Sequence, residues 1–402
     1  VIEADFFRAN RARLIERLSG GTIVLSAYTQ MQRGNDMAFA FEQEANFWWL
    51  TGVEAPDWWA IIDGSRRKTW LVMPHVSDVH EIFDGSLLPD EAQRISGADT
   101  VITHDEALKL LRDLAKKHSV VRTLGDQPHA EHFDFTLNPA PKKMHDQLAR
   151  TFNAVQDCRK ELAQLRAIKQ PVEVEALRQA INTTIRAFSH VKSTLASLKT
   201  EYQVEAEFTY HFRKNAVNHA YDPIVAAGKN ACTLHYGDNA AKLKKRELLL
   251  IDIGAREAGY PADITRTYAI GEPTKRQQQI HGAVVAAQRQ IVDLISPDLA
   301  VERYQREVDR IMTEALLSVG LMQHKGDEKA YYRYFPHAVS HGLGVDVHDS
   351  LGAPKFLKPG MVLTVEPGIY IPEESIGIRI EDDILVTSQG HDNLSGRLST
   401  EL

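Results

Sequence analysis

Four carboxylates stand in segments that otherwise read as buried strands. Asp252 interrupts Leu248-Leu-Leu-Ile-Asp-Ile253, and Asp263 lies in Pro261-Ala-Asp-Ile-Thr-Arg-Thr267. Glu366 follows Thr364-Val365, and Glu381 ends Gly377-Ile-Arg-Ile380. Paired residues of an antiparallel hairpin have numbers symmetric about the turn. Asp252 and Asp263 are symmetric about Glu257-Ala258, within Arg256-Glu-Ala-Gly259, and Glu366 and Glu381 about Glu373-Glu374. Each pair is therefore expected to be directly opposed across its hairpin, with side chains starting about 4.5–5.5 Å apart. Two unpaired carboxylates that close repel strongly in a poorly solvated site, and a cation resolves the conflict.

Between the hairpins, Phe335-Pro-His-Ala-Val-Ser-His-Gly-Leu-Gly-Val-Asp-Val-His-Asp349 brings imidazoles at His337, His341 and His348. A single histidine in such a place is more often a structural hydrogen-bonder than a ligand. Gly342 and Gly344, however, point to close backbone approach beside His341. Four carboxylates and one imidazole suit Mn²⁺, with Co²⁺, Fe²⁺ and Zn²⁺ as alternatives. That much negative charge exceeds what one divalent ion balances, so two ions sharing carboxylates and a water are expected.

The elements that would position these residues follow from periodicity. From Pro171, well placed at a first helical position, apolar residues at Val174, Leu177, Ile181, Ile185, Phe188, Val191 and Leu195 recur at helical spacing. A further helix is expected at about 201–217, then strands at 246–254 and 261–269. Helices through Ile280–Leu294 and Val301–Ala315 and strands at 361–370 and 376–387 repeat the order. Two helices then two strands, twice over, predict a duplicated unit whose sheet is cradled by helices. The N-terminal part differs: a helix at 4–18, strands at 22–26, 47–51, 59–62 and 69–73, a helix at 105–117 and a strand at 119–123 predict an α/β domain. All five tryptophans, Trp48, Trp49, Trp58, Trp59 and Trp70, lie in it, as core or as a roof over a site. Charged helical sequence takes over near residue 158, which sets expected domains of 1–158 and 159–402.

Composition narrows the function classes. At 402 residues, 43% hydrophobic and 25% charged, the chain is an ordinary globular one with room for more than one core. A formal charge of -7 argues against a nucleic-acid partner. Cys158 and Cys232 are in no zinc-binding spacing, and apolar runs stay strand-sized, so neither a disulfide framework nor a membrane span is expected. The charged N-terminal helix does not read as a signal peptide. A cytoplasmic, reducing setting fits. Seventeen histidines, about twice the chance expectation, hint at chemistry.

Taken together these residues resemble the pita-bread metallopeptidases, the family of methionine aminopeptidase, aminopeptidase P and prolidase. The family's metal set is matched by Asp252, Asp263, His341, Glu366 and Glu381. The likeness is strong over about 160–390 and weaker in Phe41-Glu-Gln-Glu-Ala-Asn-Phe-Trp-Trp-Leu-Thr-Gly52, which resembles a creatinase-type N-terminal domain. That domain, with Pro336-His337 and Gly377-Ile-Arg-Ile-Glu381, points to the Xaa-Pro branch. The fold implied is α+β: a pita-bread catalytic domain behind an α/β creatinase/prolidase-type domain.

The resemblance also implies roles. Glu366 is the general base as well as a ligand. His348, assisted by His235, stabilises the oxyanion, and Tyr221, His337 and Tyr370 line the substrate pocket. Arg379 stands beside the proline subsite. Ala226-Ala-Gly-Lys-Asn230 departs from the family's usual Gly-Ser-Gly-Glu-Asn type, so the pocket loop is expected to differ. The expected activity is dimetal-dependent cleavage of the bond before proline in dipeptides or short peptides by a homodimer. The reading leans to Xaa-Pro dipeptidase (prolidase), with aminopeptidase P, acting on longer chains, as the alternative. A creatinase-like hydrolase or a silent binding member of the fold should have lost ligands, and a metal-stabilised structural protein should bind ions without cleaving peptides.

Overall fold

The computed structural model describes residues 2–125 and 136–402. It divides into two compact units, Val1–Leu165 and Arg166–Leu402. The division falls within a helix that begins at Arg159, a little beyond the change in character at 158.

The first unit runs α1 (Ala4–Arg17), β1 (Thr22–Ser26), α2 (Ala45–Thr51), β2 (Trp59–Asp63), β3 (Lys68–Val72), α3 (Asp78–Phe83), α4 (Pro89–Ser96), β4 (Thr100–Ile102), α5 (His104–Ala115), β5 (Val120–Thr123), α6 (Ala140–Ala149) and β6 (Ala154–Asp157). Its sheet has the order β4-β3-β2-β1-β5-β6, with β2 antiparallel to both neighbours and β5 parallel to β1 and β6. Thr103 and Glu106 form a capping box on α5, whose Ala107, Leu111 and Leu114 face the core at helical spacing. One expectation fails here: 47–51 is not a strand but most of α2. The Glu44 carboxylate accepts from the Phe47 amide at 2.7 Å, and Gly52 closes the helix at φ 69°. Every residue of α2 is buried, so no periodicity separates helix from strand. Trp48, Trp49, Trp58 and Trp70 are likewise buried, and Trp59 packs edge-on to His104, so the tryptophans fill the unit's own core.

α7 (Arg159–Ala167) leads to the second unit, which opens with α8 (Pro171–Thr194) and α9 (Glu201–Lys214). Then come β7 (Asn218–His219), β8 (Ile224–Ala227), β9 (Leu248–Ile253), β10 (Ala255–Glu257), β11 (Tyr260–Pro261) and β12 (Ile264–Ala269). The order repeats with α10 (Lys275–Leu294), α11 (Val301–Ser318), a short α12 (Glu328–Tyr334), β13 (Val362–Val365), β14 (Gly368–Ile371), β15 (Ile376–Arg379), β16 (Asp382–Thr387) and β17 (Gly390–Asn393). This is the duplicated two-helix, two-strand plan. Ile280, Val284 and Ile291 of α10 and Val308, Ile311 and Met312 of α11 pack on Leu363, Ile369, Ile378 and Ile384 of the second hairpin. Among the described residues no helix is long and apolar enough to cross a membrane.

α8 and α9 meet through Phe188 and Phe208, both fully buried, with ring centroids 4.9 Å apart. Phe208→Ala should destabilise the protein by about 3–5 kcal/mol, lost transfer energy plus an unfilled cavity. A denaturant melt that moves by less than about 1 kcal/mol would mean the surroundings collapse into the space.

The two hairpins obey the symmetry rule with one difference. In the second, Val365 pairs Asp382 and Gly368 pairs Arg379, so Glu366 and Glu381 fall opposite one another as expected. Both long strands are nevertheless broken at that point. Pro367 has no amide for the ladder, and the amides of Glu366 and Glu381 donate instead to the carbonyls of Val339 and Thr265. In the first hairpin Asp252 pairs Thr265 rather than Asp263. The turn is Ala258-Gly259, with φ 51° and 81°, one residue later than expected. Such a two-residue turn with both φ positive suits a tight hairpin. A pairing slip of two keeps every side chain on its face, so Asp252 and Asp263 still share a face as diagonal neighbours. Asp263 then falls opposite Gly254, where a Cβ would lie 1.8 Å from the Ala262 carbonyl oxygen and 3.2 Å from the Tyr221 ring.

Candidate metal centre and active site

The second unit gathers all the residues singled out in the sequence. β9 supplies Asp252, the lead into β12 supplies Asp263, and the breaks in the second hairpin supply Glu366 and Glu381. His341 comes from the loop before β13. Potential ligand atoms of Asp252, Asp263 and Glu381 lie within 4.8 Å of one another, as do those of His341, Glu366 and Glu381 and those of Asp263, His341 and His348. His341 Nε2 is 3.4 Å from Asp263 and 3.3 Å from Glu366. Its Nδ1 lies 3.0 Å from the Gly342 carbonyl, which can only accept. Nδ1 therefore carries a hydrogen and Nε2 is the nitrogen turned to the carboxylates, where a divalent ion would replace the Nε2 hydrogen that otherwise meets them.

The electrostatics fit a cation cage. Burial lifts Glu366 to about 7, against the pull of His341 and Arg379 and with a further push from Asp263 and Asp252. Burial also raises Asp252, although Arg379 opposes it, and raises Glu381 well above the carboxylate range, with Asp263 and Glu366 adding to it. His341, drawn down by burial, is carried up to about 9 by its contact with Asp263 and the charge of Glu366. The Tyr221 hydroxyl has one hydrogen yet sits 2.6 Å from Asp252 and 2.7 Å from Asp263. Behind Asp263, the buried Asp383 takes its amide on Oδ2 at 3.2 Å while Oδ1 has no hydrogen-bond partner. The carboxyls outnumber the positive groups facing them, and divalent ions would supply the missing charge. Oxygen donors with one imidazole are the right ligands for them.

Around the cage the remaining side chains form a connected line. Arg379 donates through Nη2 to Asp252 at 2.6 Å, through Nη1 to the Tyr370 hydroxyl at 2.9 Å and through Nε to Thr265 at 3.1 Å. The Tyr370 hydroxyl is 2.8 Å from His337 Nε2, and His337 Nδ1 donates to the Ala338 carbonyl at 2.8 Å. Burial first, and Arg379 next, lower His337 to about 4, so it is the neutral acceptor for Tyr370. The resemblance implies Arg379 beside the proline subsite, but its guanidinium is engaged beneath the carboxylates, where it holds Asp252. His348 is exposed, its ring edge-on to His341 at 4.3 Å. Neighbouring groups desolvate the inner part of its ring although the residue as a whole is exposed, and this, followed by His341, depresses its pKa, with His235 contributing. His235, also exposed, is close enough to His348 and His337 for its charge to act on both.

Thr265 escaped sequence reading. Its hydroxyl donates to Glu381 at 2.6 Å and accepts from Arg379. Its place two residues after Asp263, hence on the same strand face, was the available signal. The expected close approach at Gly342 and Gly344 is present, but what approaches is Asp349.

Likeness to known proteins follows the same division. The profile of metallopeptidase family M24 matches residues 175–388, and that of the aminopeptidase P N-terminal domain matches residues 7–122. The Xaa-Pro aminopeptidase of Haemophilus influenzae is 31% identical over 433 residues, covering 98% of this chain and 95% of that protein. The Escherichia coli Xaa-Pro aminopeptidase is 31% identical over 422 residues with the same coverage. The structure of E. coli aminopeptidase P with the inhibitor Pro-Leu superposes with a TM-score of 0.85 at 28% identity, covering 99% of this chain and 96% of that one. With likeness running through both units, and the pita-bread plan of the second shared with aminopeptidase P, the chain belongs to metallopeptidase family M24 as a metallo-exopeptidase with an aminopeptidase P N-terminal domain.

Proposed function

We propose that this protein is a Xaa-Pro aminopeptidase that removes the first residue from peptides with proline second and further residues beyond. The observation that carries the reading is the complete set of Asp252, Asp263, His341, Glu366 and Glu381 gathered around one charge-deficient space. A silent member of the fold would be expected to have lost part of it. The lean to a dipeptidase is given up. Relatives bearing the aminopeptidase name match nearly end to end. In addition, the inhibitor bound in a structure of the E. coli enzyme, Pro-Leu, carries a residue after its proline.

Divalent ions held by the five residues, for which Mn²⁺ is our choice on an oxygen-rich donor set, would supply Lewis acidity to polarise the scissile carbonyl and to acidify a water. The residues then divide the work. Glu366 accepts the water proton and returns it to the proline nitrogen as that nitrogen leaves, which matters because a tertiary amide nitrogen has no hydrogen of its own. His348, with His235, donates to the developing oxyanion, worth about 3–4 kcal/mol for a well-aimed donor. Arg379 holds Asp252 and, through Tyr370, fixes the ring of His337.

Incubating Mn²⁺-loaded protein with Ala-Pro and with a longer Ala-Pro-Xaa peptide should release alanine from the longer peptide, and a chelator should stop it. Cleavage of the dipeptide alone would return the protein to the dipeptidase reading.

A further inference from the structure

The loop that carries His341 and His348 is held from behind by buried charges that no strand pairing requires. Asp349, the residue after His348, turns its carboxylate inward. Oδ1 accepts from Arg166 Nη2 at 2.9 Å, and Oδ2 accepts from Lys169 Nζ at 3.2 Å. All three side chains are at most 4% exposed. Arg166 also reaches Asp346, on the outer side of the same loop, at 3.1 Å. The loop is shaped to receive this carboxylate. A Cβ on Gly344 would stand 1.8 Å from Asp349 Oδ2, and one on Gly342 would stand 2.3 Å from the Asp349 carbonyl oxygen. The Asp349 amide closes onto the Gly342 carbonyl at 2.8 Å, and the Lys169 amide is tied to the Gly360 carbonyl at 2.8 Å, so both ends of the clamp are fixed in backbone.

Stability alone does not account for the cluster. Taking charges out of water costs about as much as their attraction returns, and apolar residues of similar volume would hold a fold at least as well. What a charged clamp adds is position. Among the described residues the ring of His348 makes no hydrogen bond of its own. Its placement comes from the backbone on either side and from edge contact with His341. On its C-terminal side that backbone is Asp349.

We propose that Arg166 and Lys169 are positioning residues for catalysis: by clamping the Asp349 carboxylate they set the place of the His348 imidazole beside the metal ligands. The clamp acts through His348 and touches no substrate. A misplacement of about 1 Å in such a donor costs about 100-fold in rate. The consequence for turnover rests on the Xaa-Pro aminopeptidase reading, whereas the consequence for the imidazole does not.

The test uses full-length protein labelled with ¹⁵N-histidine and loaded with diamagnetic Zn²⁺, with the His348 signals assigned by their loss in His348→Gln. Lys169→Met should shift or broaden the His348 ring signals and leave those of His104 and His118, in the first unit, where they were. Lys169→Arg should restore them. If Lys169→Met does not fold, Gly344→Ala, whose methyl displaces the same carboxylate, should produce the same change. Unmoved His348 signals in a folded variant would overturn the proposal. In turnover, Lys169→Met should lower kcat about 10–100-fold with KM and bound metal within about threefold, and should add little in the His348→Gln background. A full further loss in that background would overturn the route through His348. A parent enzyme that cleaves no Xaa-Pro peptide would sink the functional reading alone, with the ring signals still deciding the clamp.

Discussion

Glu366→Gln is expected to lower turnover of the metal-loaded enzyme by about 10²–10⁴-fold, the range for loss of a positioned proton carrier. The substitution keeps the shape of the side chain and one oxygen able to face a cation, but it removes the group that takes a proton. Burial holds Glu366 near 7, where a carboxylate can accept and return a proton close to neutrality, although entering cations would draw that value down. Its Oε1 is 3.3 Å from His341 Nε2 and accepts from the Thr364 hydroxyl at 3.3 Å, so it is fixed toward the cage. Metal content must be measured alongside turnover, because Glu366 is also a candidate ligand. Near-normal turnover by a variant with full metal content would remove Glu366 from the proton-transfer role.

Arg379→Met should strongly destabilise the fold. It leaves Asp252 buried without its 2.6 Å partner, and breaking a buried pair from one side costs about 3–5 kcal/mol. It also cuts the line through Tyr370 to His337. If Asp252 is a metal ligand, a bound ion offsets part of the uncompensated charge. The loss measured by denaturant melts should therefore be larger with a chelator present than with Mn²⁺. An equal loss in both would indicate that Asp252 does not contact the ion.

Both predictions depend on residues found in the sequence, and the way they were found shows what one chain makes legible. Carboxylates inside apolar strands stand out because burial of a lone charge is costly. Hairpin symmetry is local arithmetic, so the Glu366–Glu381 pairing was readable from the numbers alone. The same arithmetic misplaced the first hairpin by one turn position, because Arg256-Glu-Ala-Gly259 contains several possible turn centres and only the backbone selects Ala258-Gly259. The face survived, and with it the site. In α2 uniform burial erases the period that would separate helix from strand. The role of Arg379 and the contacts of Thr265 with Glu381 depend on how the two hairpins meet, residues 116 apart in the case of Thr265 and Glu381. Likewise, nothing in the neighbourhood of Lys169 announces Asp349, 180 residues away. Dipeptidase and aminopeptidase differ in what lies beyond the proline, a matter of loop shape rather than of ligand identity.

The most direct test of the account is a titration of chelator-stripped protein with Mn²⁺, following heat of binding, melting temperature and release of the first residue from an Ala-Pro-Xaa peptide in parallel. Two ions per chain should bind, and activity should appear as they do. At a free ion concentration of about 100 times Kd, each site should stabilise the fold by about 2.7 kcal/mol. Binding and stabilisation without release of alanine would contradict the peptidase reading, and release that persists in the stripped protein would contradict the metal centre.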